Sequence, residues 1–211
     1  GSTLTTTNGT WTNSPTGYTY QWTRNGSNIG SATSSTYVLV EADAGANIVC
    51  KVTATNGSGS TTANSNTITE GSFVSNWITT NTGGTSSAAT TIVLPLLAAG
   101  GTYSGTIYWG DGTSSGLTYA NRTKVYSTGG TYKIVITATL GNFKGFLFAN
   151  AGDKTKLKEI TQWGPLQLVD SSSGYFFGCT NLILTGVTDT LNLSGVTNFT
   201  SAFNTCTSLT T

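Results

Sequence analysis

Apolar and polar residues alternate with a period of two through much of the first 70 residues. The alternation is clearest over 18–22, 37–40 and 48–54. Because successive side chains of a β-strand point to opposite faces, this pattern predicts short strands that bury one face. Short strands separated by turn residues predict a sandwich of antiparallel strands over residues 1–70.

Asn-Gly dipeptides separate these strands at positions 8–9, 25–26 and 56–57. A type I′ turn needs positive φ at both central residues, and Asn-Gly meets that need best. Each dipeptide therefore predicts a hairpin turn.

The middle of the chain, residues 71–148, continues the strand-like pattern. It opens with Phe73–Ile78, passes through an apolar run at 92–99 and ends in alternating apolar residues around Ile134. That run has the length of a strand and contains a proline, so it is too short to cross a bilayer. A second β-sandwich is predicted here.

The last segment, residues 149–211, contains an internal repeat. The stretch 176–182 recurs as 203–209, with Phe, Cys and Leu in the same places and an offset of 27. A period of this size is typical of leucine-rich repeats. A degenerate earlier unit is expected to begin at Phe148, with Leu157 and Ile160 facing inward.

That earlier unit is also rich in charge, with five charged residues: Asp153, Lys154, Lys156, Lys158 and Glu159. The charge favours the N-terminal cap of a solenoid, whose outer face is wet. A patch that binds phosphate or nucleic acid is the alternative, but acids are interleaved with the lysines.

Composition narrows the function classes. Only 8% of residues are charged and the net charge is +1, which argues against nucleic-acid binding and against anionic membranes. The chain has no histidine, and its carboxylates are scattered, so no catalytic, cofactor-binding or metal site is expected. The absence of methionine, even at position 1, indicates that the chain has been processed or is part of a longer one, and we expect the second.

Around Trp22 and the stretch EADAGANIVCKV (41–52), the first segment resembles the immunoglobulin-like (Ig-like) modules of phage structural proteins. The resemblance implies that Trp22 is the core tryptophan of strand C, 43–45 the E–F turn and Cys50 the strand F cysteine. No cysteine stands near Leu4, where the family has the partner. Cys50 is therefore expected to be a free, buried thiol.

The sequence WGDGT at 109–113, followed by Tyr126, Gly130 and Tyr132, resembles the polycystic-kidney-disease (PKD) type of β-sandwich. That family carries a W-x-F-G-D-G-T turn and a Y-x-x-x-G-x-Y motif. Trp109 stands where the family has its second aromatic residue. Asp111 is interpreted as a turn residue; a calcium ligand or a catalytic carboxylate is the alternative.

Residues 191–209 resemble the BspA-like leucine-rich repeats of surface proteins, whose unit reads L-D-x-S-x-V-T-N-M-x-x-M-F-x-x-C-x-x-L. Asn192 replaces the acid, Phe199 and Ala202 replace the methionines, and Phe203 keeps the phenylalanine. The full expectation is an all-β chain: an Ig-like sandwich (1–70), a PKD-like sandwich (71–148) and the start of a leucine-rich-repeat solenoid (149–211).

The repeat also predicts the state of two cysteines. Cys179 and Cys206 occupy equivalent positions, so stacked, inward-facing thiols are expected rather than a disulfide. The second copy ends at Leu209, so the stack is expected to continue past Thr211 or to be covered by a neighbouring subunit.

Three aromatic residues of the first segment are candidate ligand or interface contacts: Trp11, Tyr18 and Tyr20. Such side chains stack on sugar rings or form protein interfaces. The alternative is that they line the core of the sandwich.

Together the resemblances imply a non-enzymatic phage virion protein, exposed as a capsid decoration or a fibre- or tail-associated module. It would adhere weakly and multivalently to surface glycans. Expected partners are other virion or surface-assembly subunits, including further copies in a homo-oligomer, with no nucleic acid and no membrane insertion. Two alternatives are a bacterial cell-surface adhesin or filament subunit, and the accessory region of a glycan hydrolase. The expected location is the virion surface or the extracellular space.

Overall fold

A computed structural model describes residues 3–69, 71–169 and 173–209 of the chain. Apart from one 3₁₀ turn at Glu41–Asp43, the regular elements of this part are all β-strands, which confirms the all-β expectation. No helix in the described ranges is long and apolar enough to cross a membrane. The chain divides into two compact units, Gly1–Glu70 and Gly71–Thr211. Glu70, Asp170 and Thr211 lie outside the described residues.

Over residues 3–69 the first unit contains seven strands in two sheets: β1 (Thr3–Thr5), β2 (Gly17–Arg24), β3 (Ser27–Asn28), β4 (Thr36–Val38), β5 (Asn47–Asn56), β6 (Gly59–Asn64) and β7 (Ile68–Thr69). Strands β1 and β4 form one sheet; the other has the order β3-β2-β5-β6, with β7 also paired to β5. Trp22 lies opposite Cys50 in the β2–β5 pair, and both are buried. Cys50 is a free thiol, as predicted.

Two of the three Asn-Gly dipeptides lie at hairpins. Asn25 and Gly26 both have positive φ, 48° and 84°, and connect β2 to β3, so that prediction is confirmed. At the second, Asn56 pairs with Gly59, so the turn lies one residue further along than predicted.

The hairpin prediction at Asn8-Gly9 is wrong. Strand β1 pairs with β4 rather than with the next strand, and residues 6–16 form a loop between β1 and β2. Gly9 still needs its positive φ of 77°, but for a bend in that loop.

The second unit contains eight strands within its described residues: β8 (Gly71–Ile78), β9 (Thr91–Val93), β10 (Thr102–Tyr108), β11 (Ser114–Gly116), β12 (Thr123–Val125), β13 (Thr131–Lys144), β14 (Leu157–Gln162) and β15 (Leu166–Gln167). The larger sheet has the order β11-β10-β13-β8-β14, with β15 paired to β13, and β9 pairs with β12. One hydrophobic core includes buried residues from Phe73 to Cys206. Residues on both sides of position 148 therefore pack into the same core, where Phe146 contacts Phe148 and Phe176.

Three successive turns of chain follow: coil A (148–169), coil B (173–196) and coil C (197–209). At their starts, N–H groups of the earlier coil donate to carbonyls of the later one over 2.7 to 3.1 Å. The donor–acceptor pairs are Phe148–Tyr175, Ala149–Gly174 and Asn150–Phe177 for coils A and B, and Gly174–Thr200, Phe176–Ala202 and Gly178–Asn204 for coils B and C. Parallel bridges, Glu159 to Ile183 and Gln167 to Asn192, show that coils A and B run in the same direction.

The side chains repeat along with the backbone. The rings of Phe176 and Phe203 stack with centroids 5.2 Å apart and planes 11° from parallel. Leu157 and Ile160 are fully buried, which confirms their inward orientation. Cys179 and Cys206 are both buried and free, as expected for inward-facing thiols.

The expectation that the charges of coil A form a wet outer face is wrong for two of them. Asp153 and Lys156 are 1% and 0% exposed. The Lys156 Nζ lies 3.5 Å from Asp153 Oδ1 and donates to the carbonyls of Ser87, Ala88 and Thr91 at 2.8 to 2.9 Å, and to the Ser87 hydroxyl. Burial lowers the pKa of Lys156, and the charge of Asp153 opposes that effect.

The carboxylate of Asp153 is equally well bonded. It accepts hydrogen bonds from the backbone N–H and the hydroxyl of Ser87, at 2.6 and 2.7 Å, and from the N–H of Val93 at 2.6 Å. Because both charges and the loop's polar groups pair with one another, the site needs no water contact. We call this set of residues the Lys156 cluster; it attaches residues 87–93 to coil A.

We predict that Lys156→Met lowers the free energy of unfolding by about 3–5 kcal/mol, because it leaves Asp153 as an unpaired buried charge. Chemical denaturation monitored by circular dichroism measures the change. Lys158→Met is the matched control: Lys158 is only half-buried, and its loss should change stability by less than about 1 kcal/mol. Equal effects of the two substitutions would contradict the assignment.

Coil C also carries backbone strain that coil B avoids. Gly178 has a φ of 85°, and its equivalent 27 residues later, Thr205, has a φ of 60°. A β-branched residue is disfavoured in that region by roughly 1–2 kcal/mol. A Cβ at position 178 would collide with Asn150 and Lys154, so glycine is required there for space as well.

We therefore predict that Thr205→Gly raises the midpoint of thermal unfolding, by the equivalent of roughly 0.5–1 kcal/mol. Thr200→Gly, at a position without positive φ, should lower it. Differential scanning calorimetry of both variants tests the idea, which fails if Thr205→Gly is the more destabilising of the two.

Candidate functional site

The three candidate aromatic residues all lie in the first unit, and each is half-buried. Trp11 belongs to the loop after β1, whereas Tyr18 and Tyr20 lie two residues apart on β2 and so share a face with Trp22. All three pack against the core around Trp22. They therefore combine a core-facing part with an accessible part.

Asn8 holds two of these side chains in place. The hydroxyl of Tyr20 donates to Asn8 Oδ1 at 2.5 Å, and the indole N–H of Trp11 donates to the Asn8 carbonyl. Asn8, which the sequence predicted to lie in a turn, thus positions Trp11 of the loop and Tyr20 of β2. The rings of Trp11 and Tyr20 are positioned before any ligand arrives.

Trp11 contributes to the lining of two open grooves. The larger encloses about 580 Å³ and is lined by residues 4–11, by Trp22 and Val52, and by 63–66 with Ile68. The smaller, of about 270 Å³, is lined by Trp11 and its neighbours Thr12, Asn13 and Pro15, and by the β5–β6 hairpin. We call this pair the Trp11 grooves. Strand β6, which contributes to both, is exposed along its whole length.

Among the described residues, none that lines the Trp11 grooves is charged. The polar groups of the lining are hydroxyls and amides. In the larger groove they come from Thr5–Thr7, Asn8 and Thr10 and from a second stretch of chain, Asn64–Asn66. Apolar contact comes from Trp11, Trp22 and Val52. An apolar base with neutral donors and acceptors suits an uncharged polar ligand.

Of the three candidate residues, Trp11 lines the grooves, whereas Tyr18 and Tyr20 are in the lining of neither. Asn8 connects Tyr20 to Trp11. Sequence reasoning missed Asn8 and the polar residues of 63–66. Only the Asn-Gly dipeptide pointed to Asn8, and it was interpreted as a hairpin turn. The alternation pattern does not show that residues 4–11 and 63–66 are neighbours, because only the folded sandwich brings these distant stretches together.

Asp111 lies outside this site and has a structural role. Its Oδ1 accepts hydrogen bonds from the Thr113 N–H and hydroxyl at 3.0 and 2.6 Å, and its Oδ2 pairs with Lys124 Nζ at 2.7 Å. These contacts hold the turn between β10 and β11, where Gly110 and Gly112 have positive φ. Within the described ranges, no group of three or more His, Cys, Asp or Glu side chains is arranged to hold a metal ion.

The protonation of Asp111 gives a pH test of that role. Burial raises the pKa of Asp111. Hydrogen bonds from Lys124 and Thr113 lower it by a larger amount, so the pKa falls from 3.8 to about 2. Because the folded-state pKa lies below the ordinary value, the ionised form stabilises the fold above pH 3.8, and that contribution is lost as the pH falls towards 2.

We predict that Asp111→Asn lowers the free energy of unfolding by about 1–2 kcal/mol at neutral pH, a range reduced for the partial exposure of the pair. The difference from the unsubstituted chain should shrink as the pH is lowered from about 4 to 2. Urea denaturation across that range measures it. A difference that does not change with pH would exclude the ionised carboxylate as its cause.

Function has to be inferred from these grooves and their chemistry, because the comparisons with known proteins offer no precedent. No protein-family model matches the chain, and searches of curated proteins and of solved structures found no significant match.

Proposed function

We propose that this protein is a non-enzymatic structural module of a phage virion that adheres to neutral glycans through the Trp11 grooves. One observation carries the proposal. A half-buried tryptophan, held by Asn8, lines both grooves, and the other described residues of their lining are uncharged polar or apolar residues.

Sugars match this lining chemically. The apolar C–H face of a pyranose ring stacks on an indole, while its hydroxyls exchange hydrogen bonds with amide and hydroxyl side chains. Asn64 and Asn66 supply amide groups to the groove that Trp11 lines. A lining without charge has no specific partner for a sulfate or phosphate, so neutral sugars are the class favoured.

Affinity for a single site is expected to be weak. The grooves are open, and an open groove buries only part of a small polar ligand and displaces ordered water in doing so. Many copies on one particle turn weak binding into firm attachment, because each later contact forms at a high effective concentration. Multivalent display on a virion or in a homo-oligomer of surface subunits is therefore part of the proposal.

The module assignments belong to the same proposal. An Ig-like first unit is supported by its two-sheet pairing and by Trp22 opposite Cys50. A PKD-like sandwich at 71–148 is supported by the Asp111 turn and by the hydroxyl of Tyr126 donating to the Trp109 carbonyl at 2.9 Å. Leucine-rich repeats at 149–211 are supported by coils A to C, which repeat their backbone contacts.

The virion location rests on the resemblance of these modules to phage structural proteins. Genes for capsid, portal or terminase proteins beside this one would support it. A sortase-type or lipoprotein anchor in the full reading frame would favour a bacterial surface adhesin instead, and a carboxylate-rich catalytic domain would favour the accessory region of a glycan hydrolase.

We predict that the chain, displayed on streptavidin-coated beads, is retained on mucin and binds neutral glycans on an array. Trp11→Ala should reduce retention at least tenfold because the stacking surface is lost. Asn66→Ala, which removes an exposed amide of the larger groove, should reduce it by a smaller factor.

Tyr119→Ala is the matched control, since Tyr119 is a partly exposed aromatic residue of the other unit. Circular dichroism must show that all variants are folded. Retention that survives Trp11→Ala in a folded chain would reject the site, and a flat array together with no retention on mucin would reject glycan adhesion.

A further inference from the structure

The first unit has a further open cavity besides the Trp11 grooves. It encloses about 410 Å³ and is lined by side chains of β2, β5 and β6 and of the turn between β2 and β3, among them Thr23, Asn25, Asn47, Lys51 and Asn64. We call it the Lys51 cavity. Its chemistry differs from that of the Trp11 grooves because its lining includes a charged group.

Strand alternation places the Lys51 cavity on the face of the larger sheet that points away from the core. Trp22 and Cys50 lie opposite each other and are buried in the core, so the next residues along their strands, Thr23 and Lys51, point the other way. Lys51 lies directly opposite Asn64 in the β5–β6 pair, and directly opposite residues share a face. Lys51 and Asn64 therefore border the cavity together.

Lys51 brings a positive charge to this cavity without an anion to match it. Its side chain is half-buried, and within residues 3–69 no hydrogen bond or ion pair involves its ammonium group. The ion pair of this unit joins Arg24 to Asp43 instead. None of the described residues that line the cavity is acidic. A half-buried ammonium group in such a concave site attracts an anionic ligand.

The amides near Lys51 offer donors to the same ligand. Asn25 Oδ1 accepts a hydrogen bond from the Asn47 N–H at 2.9 Å, and Asn47 Oδ1 accepts one from the Thr69 hydroxyl at 2.6 Å. Within the described part of the chain, the side-chain NH₂ groups of Asn25 and Asn47 have no acceptor. Because an amide NH₂ group only donates, these groups suit ligand oxygens.

Charge and size together define the class of ligand. One ammonium group balances one negative charge, which matches a carboxylate or a sulfate ester, whereas a phosphate monoester carries about −1.5 to −2 at neutral pH. The cavity, at about 410 Å³, is much larger than either group. Apart from Lys51 and the apolar Val49, the side chains that line it are amides and hydroxyls. A carrier rich in hydroxyl groups matches that lining.

We propose that the Lys51 cavity binds an acidic sugar. Lys51 pairs with the carboxylate or sulfate ester of the sugar, and the amides of Asn25, Asn47 and Asn64 bond its other oxygens. The site would add acidic sugars to the neutral ones proposed for the Trp11 grooves. It does not depend on that proposal, although Asn64 lines both sites.

The test is an NMR titration of the isotope-labelled full chain with sodium glucuronate. Glucuronate should shift the backbone amides of Asn25, Lys51 and Asn64, whereas glucose, its uncharged counterpart, should not. A sulfated galactose, titrated in parallel, shows which of the two anionic groups binds more tightly. Raising sodium chloride from about 0.05 to 0.5 M should weaken the binding, because salt screens the charge of Lys51.

Lys51→Met should weaken glucuronate binding at least about tenfold, because the charge-assisted hydrogen bond is lost, and Lys51→Arg should retain most of it. Lys144→Met is the matched control, since Lys144 is a half-buried lysine of the other unit. It should leave the titration unchanged. Trp11→Ala should also leave it unchanged, so failure of the neutral-glycan site and failure of this site are distinguishable.

Three results would overturn the proposal. The first is the absence of shifts with both acidic sugars, and the second is an equal response to glucose. The third is a set of shifts that survives Lys51→Met in a chain that circular dichroism shows to be folded.

Discussion

The Lys156 cluster is the interaction on which the second unit most depends. A single ammonium group bonds three carbonyls and a hydroxyl of residues 87–91, while Asp153 bonds the amides of Ser87 and Val93. Residues 87–91 have little regular pairing of their own, and Lys156 gives the carbonyls of Ser87, Ala88 and Thr91 a hydrogen-bond donor. The two charges are stable in the interior because they pair with each other and because hydrogen bonds to residues 87–93 occupy their other donor and acceptor sites. The cluster thereby fixes β9 against coil A and brings the two halves of the unit into one core.

From coil A onwards, successive coils are held together by similar ring contacts and backbone hydrogen bonds. Phe148, Phe176 and Phe203 succeed one another along the coils, with centroids 6.4 and 5.2 Å apart, and the amides beside them use the carbonyls of the next coil. Phe176 is fully buried between Phe148 and Phe203.

The first unit has a different character. Its buried carboxylate, Asp43, is bonded by Arg24 and Tyr37, and the described residues that line the Trp11 grooves are uncharged. Binding by such grooves depends on ring stacking and neutral hydrogen bonds, both of which persist at high ionic strength.

Local pattern was enough to predict the all-β character, the 27-residue repeat and the buried, unpaired thiols of Cys179 and Cys206. These features depend on period-two alternation and on residue types at fixed spacing, which a chain displays without reference to its fold. Tertiary structure alone decided three other features: that β1 pairs with β4, that Asp153 and Lys156 are buried, and that residues 4–11 and 63–66 line one groove. Each of these depends on groups that lie far apart in sequence. A lysine beside an aspartate has the same local signature on a wet surface as in a dry core; only the carbonyls of residues 87–91, more than 60 positions away, make its burial stable.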